Sequence, residues 1–175
     1  TYMEAMYVEC KYGKDIAYEY IDTWRGRIKN DKPMMGKRGL NDHPSTDVYY
    51  KGAFMLHTLR NLIQDEPKWI GLLQAIQTEF KHQTVTTEEF VDFIGKYLHQ
   101  DYSWFFYQYL KISGVPVFVY SYDNDAAGGP VVRFRWENVM KDFKMPVFVN
   151  VNSEGWIKLE PTAEWKEYKP EVRKV

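Results

Sequence analysis

The sequence predicts an α+β protein: a helical bundle or array over residues 1–113, followed by a small antiparallel β-sheet or partial β-sandwich domain over residues 114–175. Three observations carry that reading. Apolar residues recur at helical spacing from Tyr2 to Ile112, and glycine, proline and asparagine breakers divide the stripes into segments joined by short links. At Gly114-Val115-Pro116 the period then switches from helical to alternating. With 175 residues, 45% hydrophobic and 17% aromatic, the chain can bury a sizeable core.

Residues 1–28 read as two helices separated at Gly13, the first carrying Tyr2, Met6 and Cys10 and the second Ile16, Tyr20, Ile21, Trp24 and Ile28. Cys10, the one cysteine, excludes an internal disulfide or a cysteine-based zinc cluster and is expected to be a small buried hydrophobe. Between Lys29 and Pro44 the breakers Asn30-Asp31, Pro33, Gly36, Gly39 and Asn41-Asp42 predict a long loop. A central helix follows over Thr46 to Arg60 and beyond, with Thr46 or Asp47 available as N-cap. Its apolar face is Gly52, Met55, Leu56, Leu59, Leu62 and Ile63, with Tyr49 on the first turn of that face. A helical glycine costs about 1 kcal/mol against alanine, so Gly52 suggests that something packs closely there.

Glu66-Pro67 restarts the chain as a helix with Trp69, Leu72, Leu73, Ile76 and Phe80 on its buried stripe. Thr86-x-x-Glu89 has capping-box spacing ahead of Phe90, Phe93, Ile94 and Tyr97, and a short helix runs from Ser103 to Ile112, its aromatic band from Tyr102 to Tyr109 filling the core. Val117–Tyr120, Val131–Trp136, Val147–Val151 and Trp156–Leu159 then read as four strands of an antiparallel meander, with Trp136, Trp156 and Trp165 packed on sheet faces.

Several function classes are excluded at this level. The net charge is −1 and there is no basic arm, so no nucleic-acid partner is expected. No apolar run approaches the roughly 18 residues that span a bilayer, and the N-terminus lacks the charged-then-apolar pattern of a signal peptide. The four histidines, His43, His57, His82 and His99, include no pair at His-Glu-x-x-His spacing, so no residue of this chain is a candidate metal ligand.

Tyr49-Tyr50-Lys51-Gly52-Ala53, followed by Leu56-His57 and Leu59-Arg60, resembles the Tyr-x-Lys-Gly-Ala stretch of zinc aminopeptidases of the aminopeptidase N type, the gluzincin family. Asp101 to Leu110, with Gly114-Val115-Pro116 after it, resembles that family's Phe-Phe-x-Gln stretch leading through Gly-x-Pro into a β domain. Trp136-Glu137-Asn138-Val139 and Phe143-x-Met145-Pro146-Val147 also look like that β domain. Thr1-Tyr2-Met3-Glu4 resembles the Tyr-x-Glu that follows the family's third zinc ligand. Tyr50 departs from the pattern, since the family often has glutamate there.

The resemblance covers nearly the whole chain and implies a C-terminal fragment of such an enzyme, beginning just after the third zinc ligand. Its parent would hydrolyse peptides from the amino end, with zinc as cofactor and a glutamate base activating the attacking water. Tyr49 matches the tyrosine that stabilises the oxyanion. A phenol is a hydrogen-bond donor at neutral pH, and removing one oxyanion donor typically costs about 100- to 1000-fold in turnover. Glu4, seven residues past that ligand on one helix face, is a candidate to orient a ligating histidine from behind, the bland alternative being an exposed helix glutamate. The chain alone is expected to be metal-free and inactive, and surface exposed by the truncation would favour self-association. The rival readings are a non-enzymatic helical scaffold that binds a protein partner and a carbohydrate-binding module built on the tryptophans of the β part.

Overall fold

The computed structural model describes residues 1–36, 39, 45–125, 128–150 and 155–170. Among them, six α-helices, one 3₁₀ turn and five β-strands divide into two compact units, Thr1–Ser113 and Gly114–Val175. The architecture is an α+β fold, a helical part followed by a small antiparallel β part.

In the helical unit, α1 (Tyr2–Tyr12) and α2 (Lys14–Asp22) meet at Gly13, whose φ of 92° is one that residues with a side chain rarely adopt. Its N–H closes α1 on the Glu9 carbonyl at 2.9 Å. The helix expected to run to Ile28 stops at Asp22, and Arg25–Arg27 form a 3₁₀ turn before Ile28 goes extended. The reason is tertiary. Trp24 is buried against the rings of Tyr20, Tyr50 and Phe54, and the chain must straighten after it to reach the next helix. Cys10 is exposed, against expectation, because α1 buries Tyr2 and Ala5 and turns Cys10 outward.

The long helix α3 (Asp47–Ile63) follows, then α4 (Glu66–Glu79), α5 (Thr87–Leu98) and α6 (Ser103–Lys111). Two of the starts obey local chemistry. The Asp65 carboxylate accepts the Lys68 N–H at 3.0 Å, with Pro67 in the first turn of α4. Thr86 and Glu89 exchange the two hydrogen bonds of a capping box at the head of α5. Leu59, Trp69, Leu72, Ile94, Phe105 and Phe106 make the centre of the core, each worth about 1.5–3 kcal/mol of burial. Of the band Tyr102 to Tyr109, Tyr102, Trp104, Phe105 and Phe106 are buried as composition predicts, while Tyr107 and Tyr109 are half-buried.

Arg60 stitches three helices together. Its guanidinium donates to both Glu9 oxygens, at 2.5 and 2.8 Å, and to both Glu66 oxygens, at 2.7 and 2.8 Å, so α3 is tied to α1 and α4. The hydrogen bond from Arg60 holds the Glu9 carboxyl below its ordinary range, against an opposing push from burial.

The β unit is two small sheets and not the single meander the strand order suggests. β1 (Val117–Asn124) pairs antiparallel with β2 (Pro130–Glu137), placing Phe118 opposite Trp136, and the other edge of β2 is taken by β5 (Lys166–Tyr168). β3 (Val147–Asn150) and β4 (Trp156–Leu159) form their own pair, and Val151 lies outside the described residues. Val132 and Phe134 of β2 pack with Leu159 of β4, so the two sheets share one core. β5 has three residues and no alternating pattern, which is why composition does not reveal it. Trp136 is buried, its indole N–H donating to the Met145 carbonyl at 2.9 Å, whereas Trp156 (74% exposed) and Trp165 lie open and not on a packed sheet face.

A carboxylate whose pKa is lowered by folding contributes stability that is present above its unfolded pKa and lost as pH falls through the folded one. Glu9→Gln is therefore expected to cost about 1–3 kcal/mol at neutral pH. The gap between wild type and variant should close as pH drops from about 5 to about 3. Thermal melts followed by circular dichroism across that range check both; parallel melting curves would contradict the assignment.

Candidate functional site

The first turn of α3 concentrates the chemistry. Thr46 stands at the N-cap but its side chain makes no capping bond, and Asp47 lies inside the helix. Asp47 is 0% exposed, and its carboxylate accepts the backbone N–H groups of Lys29 (2.8 Å) and Asn30 (2.7 Å). That is where the extended chain after Ile28 leads. Ser45 Oγ accepts the Asp47 N–H at 3.3 Å and donates to the Asp31 carboxylate at 2.6 Å, fastening the loop a second time. The Ser45 hydroxyl holds the Asp31 carboxyl below its ordinary range.

One turn on, Lys51 is 3% exposed and donates through Nζ to the carbonyls of Ile112 (3.3 Å) and Ser113 (2.8 Å), just past the end of α6. Helix ends leave carbonyls without intrahelical donors and carry partial negative charge. A buried ammonium suits both needs. Burial pushes the Lys51 pKa down, with the Asp47 charge opposing.

Tyr49 lies between these two anchors and points the other way, 61% exposed. It lines a cleft of about 390 Å³ with Tyr2 and Thr1 from the head of α1, Met34 from the loop, Gly52 and Leu110. Gly52 is not a tight contact, contrary to expectation. A Cβ built there would meet nothing nearer than the Asp47 carbonyl oxygen at 3.9 Å, so the missing side chain leaves open cleft wall. A larger apolar groove of about 1040 Å³, floored by Leu59, Trp69, Leu73 and Ile94, shares Thr1, Tyr2, Leu56 and Phe90 with it.

The two candidate residues are not brought together. Glu4 is 59% exposed and accepts a hydrogen bond from the Tyr20 hydroxyl at 3.0 Å; the residues lining the Tyr49 cleft do not include it. That carboxylate pushes the Tyr20 phenol pKa up. His57 is half-buried edge-on to Tyr18, with Nδ1 buried and unpartnered, and burial followed by the Arg60 charge pushes its pKa down. Among the described residues no three His, Cys, Asp or Glu side chains converge on a point that could hold a metal, and His43 lies outside those residues. Among the described residues no helix is long and apolar enough to cross a membrane.

A sugar-binding face needs at least two free tryptophan planes. Trp136 is packed against Phe118 and Phe143, and Arg135 sits 4.7 Å over one face of the Trp165 ring, which leaves Trp156 the most exposed of the three. Sequence reasoning noticed Asp47 as a cap but missed its role as an acceptor for the loop. It quoted Lys51 and Leu110 only as parts of motifs and gave neither them nor Met34 a role, since nothing local marks residues whose partners lie up to 62 positions away.

No family model matches the chain, and no curated protein matches it. Among solved structures, the fold is similar to that of Legionella pneumophila aminopeptidase A, determined in complex with aspartic acid, with a TM-score of 0.64 and 15% sequence identity. The match covers 97% of this chain and 20% of that one, so the chain spans a fifth of that protein's length. The likeness shows a shared, aminopeptidase-like fold.

Since Gly52 is helical and faces space, Gly52→Ala is expected to stabilise the protein by up to about 1 kcal/mol. Chemical denaturation reads this directly, and a loss of stability would show that the position is packed after all.

Proposed function

We propose that this chain is the later part of the catalytic domain of a zinc aminopeptidase of the aminopeptidase N type, with the β domain that follows it, and that Tyr49 is its oxyanion donor. One observation carries the reading. Tyr49 projects from the first turn of α3 into a cleft that also receives the first residues of α1, Thr1 and Tyr2, where the resemblance puts the chain that follows the third zinc ligand. The fold likeness to an aminopeptidase supports the same class.

In this reading the substrate is a peptide with a free amino end. When the scissile carbonyl is attacked, negative charge develops on its oxygen, and the Tyr49 O–H donates a hydrogen bond to that oxygen. A donor aimed at charge that exists only in the transition state lowers the barrier without tightening ground-state binding. In this reading the zinc of the parent is held by residues that the resemblance places before Thr1, and the chain by itself is inactive. In this scheme Glu4, whose carboxylate here accepts the Tyr20 hydroxyl, is the candidate to orient a ligating histidine of the parent.

A second reading, a helical scaffold for a protein partner, draws on the apolar groove of about 1040 Å³. Exposed apolar surface of that kind also favours self-association of the isolated chain.

Turnover separates the two functions. In the full-length parent, Tyr49→Phe is expected to lower kcat about 100- to 1000-fold while KM changes little and the melting temperature holds. Unchanged turnover in a folded variant would discard the oxyanion role and leave the scaffold reading.

A further inference from the structure

Tyr49 is exposed, yet the residues two before and two after it are among the most deeply buried polar groups of the helical unit. On a helix, positions two apart lie about 200° apart and positions four apart share a face. Asp47 and Lys51 therefore stand together on the inner side of the turn, and Tyr49 stands on the outer side. The two anchors grip unrelated pieces of backbone. Asp47 holds the N–H groups of Lys29 and Asn30, and Lys51 holds the carbonyls of Ile112 and Ser113.

We propose that Asp47 and Lys51 are positioning residues that set the rotation of the first turn of α3 about its axis, and thereby the place of the Tyr49 hydroxyl in the cleft. The lever is geometric. A tyrosine hydroxyl lies several times farther from the axis than the Cα radius of about 2.3 Å, so a small rotation of the turn becomes a large displacement of the oxygen. Gly52 makes the need sharper, because no side chain there buttresses the helix from the cleft side. Tyr49 itself is mostly open to solvent. Its placement has to come from the backbone beneath it, and that backbone is held from within by a carboxylate and an ammonium pulling on different segments.

Neither anchor is explained by stability alone. Buried charged groups usually contribute little net stability compared with apolar residues of similar size, and a helix needs neither to start nor to propagate. What they supply is directional. Two hydrogen bonds at each anchor define an orientation that apolar packing, which is non-directional, leaves free to slide.

This inference deepens the proposed role of Tyr49 and rests on it for its catalytic meaning, but its test does not require turnover. 3-Fluorotyrosine is placed at position 49 of this 175-residue chain and, separately, at the α5 residue Tyr97 as a reporter of the fold. Fluorine NMR is then recorded for wild type, Lys51→Met, Lys51→Arg and Asp47→Asn. The expected result is one sharp Tyr49 signal in wild type that shifts and broadens or splits in Lys51→Met and Asp47→Asn. It should recover in Lys51→Arg, which keeps donors for both carbonyls, with the Tyr97 signal unmoved throughout. A Tyr49 signal in Lys51→Met and Asp47→Asn that superimposes on wild type overturns the proposal. So does a Tyr97 signal that changes in step with Tyr49 in both variants, since that marks general loosening.

In the parent, Lys51→Met is expected to lower kcat about 10- to 100-fold with KM within about threefold, as displacement of a reacting group by about 1 Å does. Should Tyr49→Phe prove silent there while the fluorine signal responds, the oxyanion reading fails and the positioning result stands.

Discussion

The burial of the Asp47 carboxylate is the constraint from which the helical unit takes its shape. A carboxylate with no exposure is tolerable only if its oxygens find donors, and here they are two successive backbone N–H groups of the incoming chain. N–H groups inside a helix are already spent on carbonyls four residues back, so the two that meet this carboxylate cannot come from a helix interior. That requirement is met by the end of α2 at Asp22, the short turn at Arg25–Arg27 and the extended Ile28. The loop between Lys29 and α3 is thereby anchored at its beginning, and the Ser45–Asp31 bond anchors it again near its end. The same turn carries Lys51 to the end of α6, so one helical turn organises three separate stretches of chain around Tyr49.

The rest of the helical unit is held by a division of labour between rings and one guanidinium. Trp24, Trp69, Phe105 and Phe106 are among the largest fully buried side chains, and their edge-to-face contacts set spacing more than direction. Direction comes from Arg60, whose planar fork meets two carboxylates at fixed geometry and so fixes α1 and α4 against α3. The cleft and the apolar groove both open along α3, between the residues these contacts hold in place. A site at that position inherits rigidity from the scaffold without being buried in it.

The β unit solves a different problem. Short sheets have edges, and an edge strand is a liability unless it is brief, charged or covered. β5 meets that condition with three residues, two of them Lys166 and Glu167, the latter paired with Arg133 on the neighbouring strand. Chain order would have put β3 there. Instead residues 138–146 carry the chain away, and β3 pairs with β4 so that Leu159 can reach Val132 and Phe134. Trp136 marks the crossing, bonded to the Met145 carbonyl through its ring and to the Thr162 carbonyl through its backbone.

What the sequence determined by itself is whatever depends on near neighbours. The stop at Gly13, the proline start of α4, the capping box of α5, the aromatic band of α6 and the helix-to-strand switch at Gly114 are all set within a few residues, and all could be read off the chain. The tertiary structure alone decided the early end of α2, the exposure of Cys10 and Trp156, the open space beside Gly52, the pairing of β2 with β5 and the buried places of Asp47 and Lys51. Each of these turns on a contact between distant segments, and the free energy of such a contact appears in no local pattern. An aspartate at the head of a helix looks like a cap, and a lysine inside one looks like a solvated charge, until the fold brings distant backbone groups to them.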